Sequence, residues 1–335
     1  MTELFSFKSA EEANKKLDSL GGYRDPELIV PLKGASAHEV AVGPVHAGVI
    51  EPGHFRFQCM GEDVYNLQIF LGYQHRGVEE AIVKAEGNIS RQIALAETCA
   101  GDTSAAAANA FAELMERAFP KAYPAPNAEE KRLRSILIEL ERIANHTGDL
   151  GALAGDVAFL QTASFCGRIR GEYLNMTALL CGNRFGRNAI EPGGVRIVDA
   201  AKKYNELKLW IARVKPELDR ALGLMFHEHS VCDRFDGTGR VPKEVAESIG
   251  LVGVARRASV ELNGDVMARA LIRRIEINEA HEKIAKLIDG VLNESESENL
   301  DGVKEGEFTG RQWALDNRKL YNHGRKEVAV KANLE

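Results

Sequence analysis

The chain has 335 residues, 44% of them apolar, and its 43 basic residues against 49 acidic ones give a formal net charge of −6. That is enough apolar material for a large buried core, in one large domain or two smaller ones, and it excludes a disordered chain. No long Lys/Arg run stands out, so a nucleic-acid partner is not expected. Residues 9–20 fit a short amphipathic helix, which Gly21-Gly22 and Pro26 break, and a lead-in segment runs to about residue 37. Three β-type runs follow at 39–43, 54–60 and 63–71, separated by Gly-Pro, Glu-Pro-Gly and Gly-Glu turn signals. They predict a small antiparallel sheet over 38–75.

From Arg76 the periodicity becomes helical. Residues 104–118 are Ala-rich, which suits close helix packing. In 129–147, Leu133, Ile136, Leu137, Leu140, Ile143 and Ala144 recur by three and four between charges, which predicts an amphipathic helix. Gly148, Gly151 and Gly155 then thin out the side chains, two helical stretches follow at 156–166 and 168–183, and Glu191-Pro192-Gly193-Gly194 closes that pair. The set Ala200, Tyr204, Leu207, Ile211, Val214, Leu218 and Leu222 reads as the seam of a long helix that Pro216 kinks. Residues 265–289 give another, with Ile277, Ala280, Ile284, Leu287 and Ile288 on one side and Gly290 as its stop. Residues 291–335 read as a polar, flexible tail. The expected fold is therefore mainly α with a small antiparallel β-sheet: a helical bundle over 76–290 and a sheet near its N-terminal end.

The Met-Thr-Glu-Leu start carries no secretory signal pattern. The longest uncharged runs, such as 64–75 and 157–167, fall short of the roughly 18 residues of a membrane span, so any membrane association is expected to be peripheral. Five scattered cysteines, Cys59, Cys99, Cys166, Cys181 and Cys232, read as reduced thiols, and no two stand in the Cys-x-x-Cys spacing that thiolate metal sites draw on.

Four segments carry residues suited to chemistry. In "VGPVHAGVIEPGHFRF", residues 42–57, a hairpin loop presents His46, Glu51 and His54 together, although a polar loop tip is also what plain solvation produces. "GYQHRGVEEA", residues 72–81, sets His75 and Arg76 at a helix start with Glu79 and Glu80 in its first turn, where acids also offset the helix dipole. "LIELERIANHTGDLG", residues 137–151, ends its helix in His146 and Asp149; the His146 ring lies roughly 120° from the centre of the apolar stripe, and a cationic imidazole at a helix C-terminus is the alternative to a site. "HEHSVCD", residues 227–233, collects His227, His229 and Cys232 but brings no fourth zinc ligand.

Taken in order, "GPVHAG", "EPGHFRF", "LGYQHRGVEEA", "RSILIELERIANHTGDLG", "GNRFGRNAIEPGGV" and "GLVGVARRAS" resemble the large subunit of membrane-bound group 4 nickel-iron hydrogenases and the 49 kDa-type subunit of respiratory complex I. Within that family the pattern is most similar to the hydrogenase-4 component G-like proteins of energy-converting hydrogenase-related complexes, and it runs from about residue 39 to 290. The hydrogenase members hold nickel and iron with two Cys-x-x-Cys pairs. Here the first pair falls on "CAGD", Cys99 to Asp102, with a carboxylate in place of the second thiolate, and the second pair has no counterpart. A nickel-iron centre is therefore not expected, because one thiolate and one hard carboxylate do not make a soft cage. An insert that relatives carry between Ser259 and Gly264 is also missing, so the chain is either a reduced family member or one whose reading frame ends early.

The resemblance implies an electron-transfer and proton-handling subunit that binds no cofactor directly. It implies that Glu51, Asp102 and His54 do the proton chemistry, that His46, His54 and Cys99 line a quinone cavity, and that His146 and Arg76 lie near a 4Fe-4S cluster of a partner subunit. It implies as partners a small iron-sulfur subunit of the complex I B type, a 30 kDa-like subunit, and antiporter-like and H-subunit-like membrane-arm proteins, at the cytoplasmic face of the cell membrane. A working nickel-iron hydrogenase subunit and a non-catalytic docking scaffold are the competing readings.

Overall fold

The computed structural model describes residues 36–45 and 52–292. They divide into a sheet unit through Arg76 and a helical unit from Gly77. The sheet is β1 (Ala37–Val42), β2 (His54–Met60) and β3 (Asp63–Phe70), antiparallel in that order, with a register shift at Gln58/Cys59. Gly61 has φ +61° in the two-residue β2–β3 loop, the conformation that a tight hairpin turn with glycine first requires. Glu39 and Arg56 pair across β1 and β2 at 2.7 Å.

The helical unit contains α1 (Val78–Lys84), α2 (Ile89–Ala96), α3 (Ser104–Ala118), α4 (Ala128–Asp156), α5 (Leu160–Cys181), α6 (Ala200–His227), α7 (His229–Phe235), α8 (Lys243–Ser248), α9 (Gly253–Glu261) and α10 (Val266–Leu292). A two-stranded hairpin, β4 (Ile190–Glu191) and β5 (Gly194–Val195), lies between α5 and α6. The architecture is the expected one, mostly helical with a small antiparallel sheet.

α4 starts on a reciprocal cap: Glu130 N donates to Asn127 Oδ1 at 2.9 Å and Asn127 N to Glu130 Oε2 at 2.8 Å. Its six periodic apolar residues, Leu133 to Ala144, are all buried in the core. Each such Leu or Ile stabilises the fold by about 2 kcal/mol. The seam of α6 is buried likewise apart from Ile211, which is partly buried, and Ile277, Ala280, Ile284, Leu287 and Ile288 of α10 join the same core.

Three local expectations are corrected. α4 does not end near residue 147 but continues through Gly148, Gly151 and Gly155 to Asp156. The first two of these glycines are close-approach positions: a Cβ on Gly151 would lie 2.8 Å from Cys166 Cβ of α5, and one on Gly148 would lie 3.1 Å from Arg170 Cδ. The two helices expected at 156–166 and 168–183 are one, which stops at Gly182 in the left-handed conformation that a helix C-terminus favours. Glu-Pro-Gly-Gly does not close that helix but makes the turn of the β4–β5 hairpin, which Arg134 of α4 clamps by donating to the Glu191 and Gly194 carbonyls at 2.8 and 3.1 Å. α6 also runs unbroken through Pro216.

Candidate functional site

The segment Glu97–Thr103 joins α2 to α3, and its anchors come from far along the chain. Glu97 is buried and accepts from Asn188 N at 2.7 Å; burial pushes its carboxyl up, against that N–H and the charges of Arg187 and Arg196. Arg187 donates to the Gly101 carbonyl at 3.2 Å and to Ser104 Oγ at 3.4 Å. The loop "NRFGRN", residues 183–188, is thus a clamp on this segment. Asn183 Oδ1 accepts from Phe185 N at 2.9 Å, which folds the clamp on itself.

The start of α3 is satisfied in an unexpected way. Asp102 is not its cap; the N-cap is Thr103, whose side chain makes no capping bond. Glu141 of α4 does the work instead, with Oε2 accepting from Ala105 N at 2.8 Å and Oε1 from Ala106 N at 3.1 Å. Burial pushes the Glu141 carboxyl up to about 8, against the pull of the two backbone N–H groups and Arg142, while Asp102 adds to the rise. One turn on, Asn145 Nδ2 donates to the Asp102 carbonyl and to Thr103 Oγ1, both at 3.2 Å. The Asp102 carboxylate turns outward and meets Arg170 Nη2 of α5 at 3.3 Å, an exposed pair. Cys99, in the same loop, is exposed.

His146 lies well inside α4, so it does not cap a helix C-terminus. Its Nε2 is 2.7 Å from Glu276 Oε2 of α10. Arg257 of α9 donates to Glu276 Oε1 at 3.0 Å, and Arg142 Nη1 is 3.8 Å from Oε2. Burial opposes ionisation of Glu276, but His146, Arg142 and Arg257 together hold its carboxyl below the usual range. Glu139 is treated likewise: burial raises it, and Arg142 at 2.7 Å and Lys283 at 2.8 Å bring it below the ordinary value. α4 thus presents Glu141 and Asn145 to the start of α3, and Arg142 and His146 to an ion network on α9 and α10.

In the sheet unit, His54 opens β2, where Nδ1 contacts the Gly43 carbonyl at 3.2 Å and the ring lies 5.6 Å from Phe70. It is packed at a strand end. His46 and Glu51 lie outside the described residues. Arg76 and His75 are exposed and precede α1, which begins at Val78 with Glu79 and Glu80 in its first turn. The structure therefore brings Cys99 and Asp102 together, joins them through Asn145 to the helix that carries His146, and leaves His54 and Arg76 to the sheet unit. His227 and His229 fall at the end of α6 and the start of α7; among the described residues no three His, Cys, Asp or Glu side chains are placed to hold a metal ion. Sequence reasoning missed Glu141, Arg170, Glu276 and Glu97. The signal for Glu141 was present: it stands four residues after Leu137 and three before Ala144, an acid on the apolar stripe.

This frame, a helical bundle whose third helix starts on a buried carboxylate beside an Arg-paired aspartate, defines a class that comparison with known proteins identifies. Residues 156–260 match the family described as the respiratory-chain NADH dehydrogenase 49 Kd subunit. The chain is 26% identical to the membrane-bound hydrogenase subunit alpha of Pyrococcus furiosus, over 66% of this chain and 51% of that protein. It is 26% identical to hydrogenase-4 component G of Escherichia coli, over 76% and 46%. It is 30% identical to the fused C/D component of the NADH-quinone oxidoreductase of Bacteroides fragilis, over 75% and 51%. The chain spans about half the length of the curated relatives it matches. The fold is shared with a chain of the membrane-bound sulfane sulfur reductase, an archaeal respiratory membrane complex, at TM-score 0.67 and 20% identity, over 76% of this chain and 73% of that one. The chain fits the family of group 4 hydrogenase large subunits and complex I 49 kDa subunits. No helix among the described residues is long and apolar enough to cross a membrane.

Proposed function

We propose that the chain is the large-subunit-like, electron-transfer and proton-handling component of a membrane-bound, complex I-like oxidoreductase, with a quinone-class acceptor and no nickel-iron centre. The observation that carries this reading is the construction of the Cys99–Asp102 loop. A thiolate cage needs paired soft donors, and this loop offers one exposed thiol and one carboxylate already paired with Arg170. The donor set does not fit nickel and iron, and no step runs through them. What the loop does offer is a place to hold a proton. Arg170 fixes Asp102 Oδ2, Asn145 fixes its backbone, and Glu141 beneath it exchanges a proton near neutral pH. Glu51, His46 and His54 are assigned to the same proton and quinone chemistry by resemblance.

A 4Fe-4S cluster in a partner subunit would supply one-electron transfer, with His146 as this chain's group toward it and Arg76 as a second. The relatives' names support a multisubunit, membrane-bound setting. Within it the resemblance assigns an iron-sulfur subunit, a 30 kDa-like subunit and membrane-arm proteins as partners, with this chain peripheral at the cytoplasmic face. The test is purification of the chain with its native neighbours. The expected complex reduces a short-chain quinone analogue, takes up no hydrogen and contains no stoichiometric nickel. Hydrogen uptake with one nickel per chain would overturn the reading, and a complex without redox activity in either assay would reduce the chain to a docking scaffold.

A further inference from the structure

His146 has two ring nitrogens, and its surroundings decide which of them exchanges a proton. Nε2 lies 2.7 Å from Glu276 Oε2, and the carboxylate side chain is 3% exposed against 12% for the imidazole, so water does not compete for the contact. Glu276 is held ionised in this buried place by Arg257 at 3.0 Å and Arg142 at 3.8 Å, in addition to the imidazole itself. An ionised carboxylate accepts hydrogen bonds and cannot donate one. Nε2 must then carry a hydrogen whether the ring is neutral or charged. The remaining charged groups of the network are Glu139 and Lys283, which meet at 2.8 Å, and Glu261 and Glu279, each 3.1 Å from Arg257. Among the described residues, none of these pairs with the imidazole, and Nδ1 makes no hydrogen bond.

We propose that Glu276 is a positioning residue that locks His146 in the Nε2–H tautomer, so that Nδ1 is the one ring nitrogen that gains or loses a proton. Glu276 is placed for this by its own clamp. Arg142, one turn before His146 on α4, and Arg257 on α9 approach its two oxygens and leave Oε2 facing the ring. The consequence rests on the proposed function: a hydrogen bond from His146 to an acceptor on a partner's cluster runs from Nδ1–H and exists only in the imidazolium form, whereas the neutral ring turns a lone pair to that side. Proton uptake at Nδ1 and stabilisation of added negative charge on the partner are then one event at one atom.

The test reads the ring nitrogens of the full chain directly. With 15N-labelled histidine, a long-range proton–nitrogen correlation spectrum at alkaline pH separates a protonated from an unprotonated ring nitrogen, and His146 is identified among the nine histidines as the signal lost in H146N. The expected wild-type pattern is protonated Nε2 with bare Nδ1; the reverse pattern overturns the proposal. In E276A the two nitrogen shifts should move toward each other as the tautomers interconvert, and unchanged shifts overturn the positioning role. If E276A does not fold, E276Q, which keeps the volume and offers an amide that donates as well as accepts, is read in the same way. A second measurement separates this inference from the function it rests on. If the tautomer is locked as expected, but the pH dependence of the partner cluster's potential in the purified complex is the same in wild type and H146N, the cluster reading fails and the tautomer assignment stands.

Discussion

Replacing Gly151 by alanine should destabilise the bundle, although alanine is the better helix former. Exchange of a glycine in a helix interior for alanine contributes about 1 kcal/mol of stability. At this position the new Cβ would lie 2.8 Å from Cys166 Cβ, where carbon atoms ordinarily sit about 3.5–4.0 Å apart. The obstacle is a Cβ fixed to the α5 backbone and not the end of a flexible side chain, so α4 and α5 must separate. Overpacking of this kind costs about 1–3 kcal/mol, which leaves a net loss of up to about 2 kcal/mol. Gly171, inside α5, is the control, because a Cβ there meets nothing within 4 Å and G171A should gain the full helix term. Urea unfolding followed by helical circular dichroism measures both, and the two variants should differ by about 1–3 kcal/mol at unchanged m-value. Cys166→Gly in the G151A background removes the opposing Cβ and should show a favourable coupling. G151A as stable as G171A would refute the close approach, and with it the account of why α4 tolerates glycines in its interior.

Three further outcomes follow from buried charge. His281 donates from Nδ1 to the Ile277 carbonyl at 2.7 Å and accepts from the Tyr173 hydroxyl at 2.8 Å, and burial pushes its pKa down to about 4 from an ordinary 6.5. The unfolded chain therefore takes up this proton first, and about 3 kcal/mol of stability present above pH 6.5 should be lost as the pH falls to about 4; the wild-type advantage over H281Q in urea should shrink across that window. Glu141→Ala strands two buried N–H donors at the start of α3 and should cost about 2 kcal/mol or more, with E141Q losing less. Because the folded Glu141 carboxyl is raised to about 8, wild-type stability relative to E141Q should decline as the pH rises from about 4.5 through about 8. Arg170→Ala frees Asp102 from its partner, and peptide-resolved iodoacetamide labelling should show faster reaction of the exposed Cys99 three residues away; an unchanged rate would mean that the bridge does not order the loop.

Local sequence dictates whatever depends on short-range period. The three strand runs, the apolar stripe of α4, the seam of α6 and the buried side of α10 are repeats of two or of three and four residues, and burial follows them almost residue by residue. The motifs also placed the chain in its family, because their order along the chain survives where single positions differ. Features that need a partner remote in sequence were settled by tertiary packing. Glycine is a poor helix former on its own, so Gly148 and Gly151 read as a helix end until α5 is brought against them. Asp102 reads as a cap because aspartate commonly caps, but the N–H groups it would have satisfied are taken by Glu141, 36 residues on from Ala105. His146 reads as a helix terminus until Glu276, 130 residues away, meets its ring. A buried carboxylate costs several kcal/mol unless donors converge on it, and those donors are assembled only by packing, so the groups that control protons in this protein were the ones local pattern could not reveal.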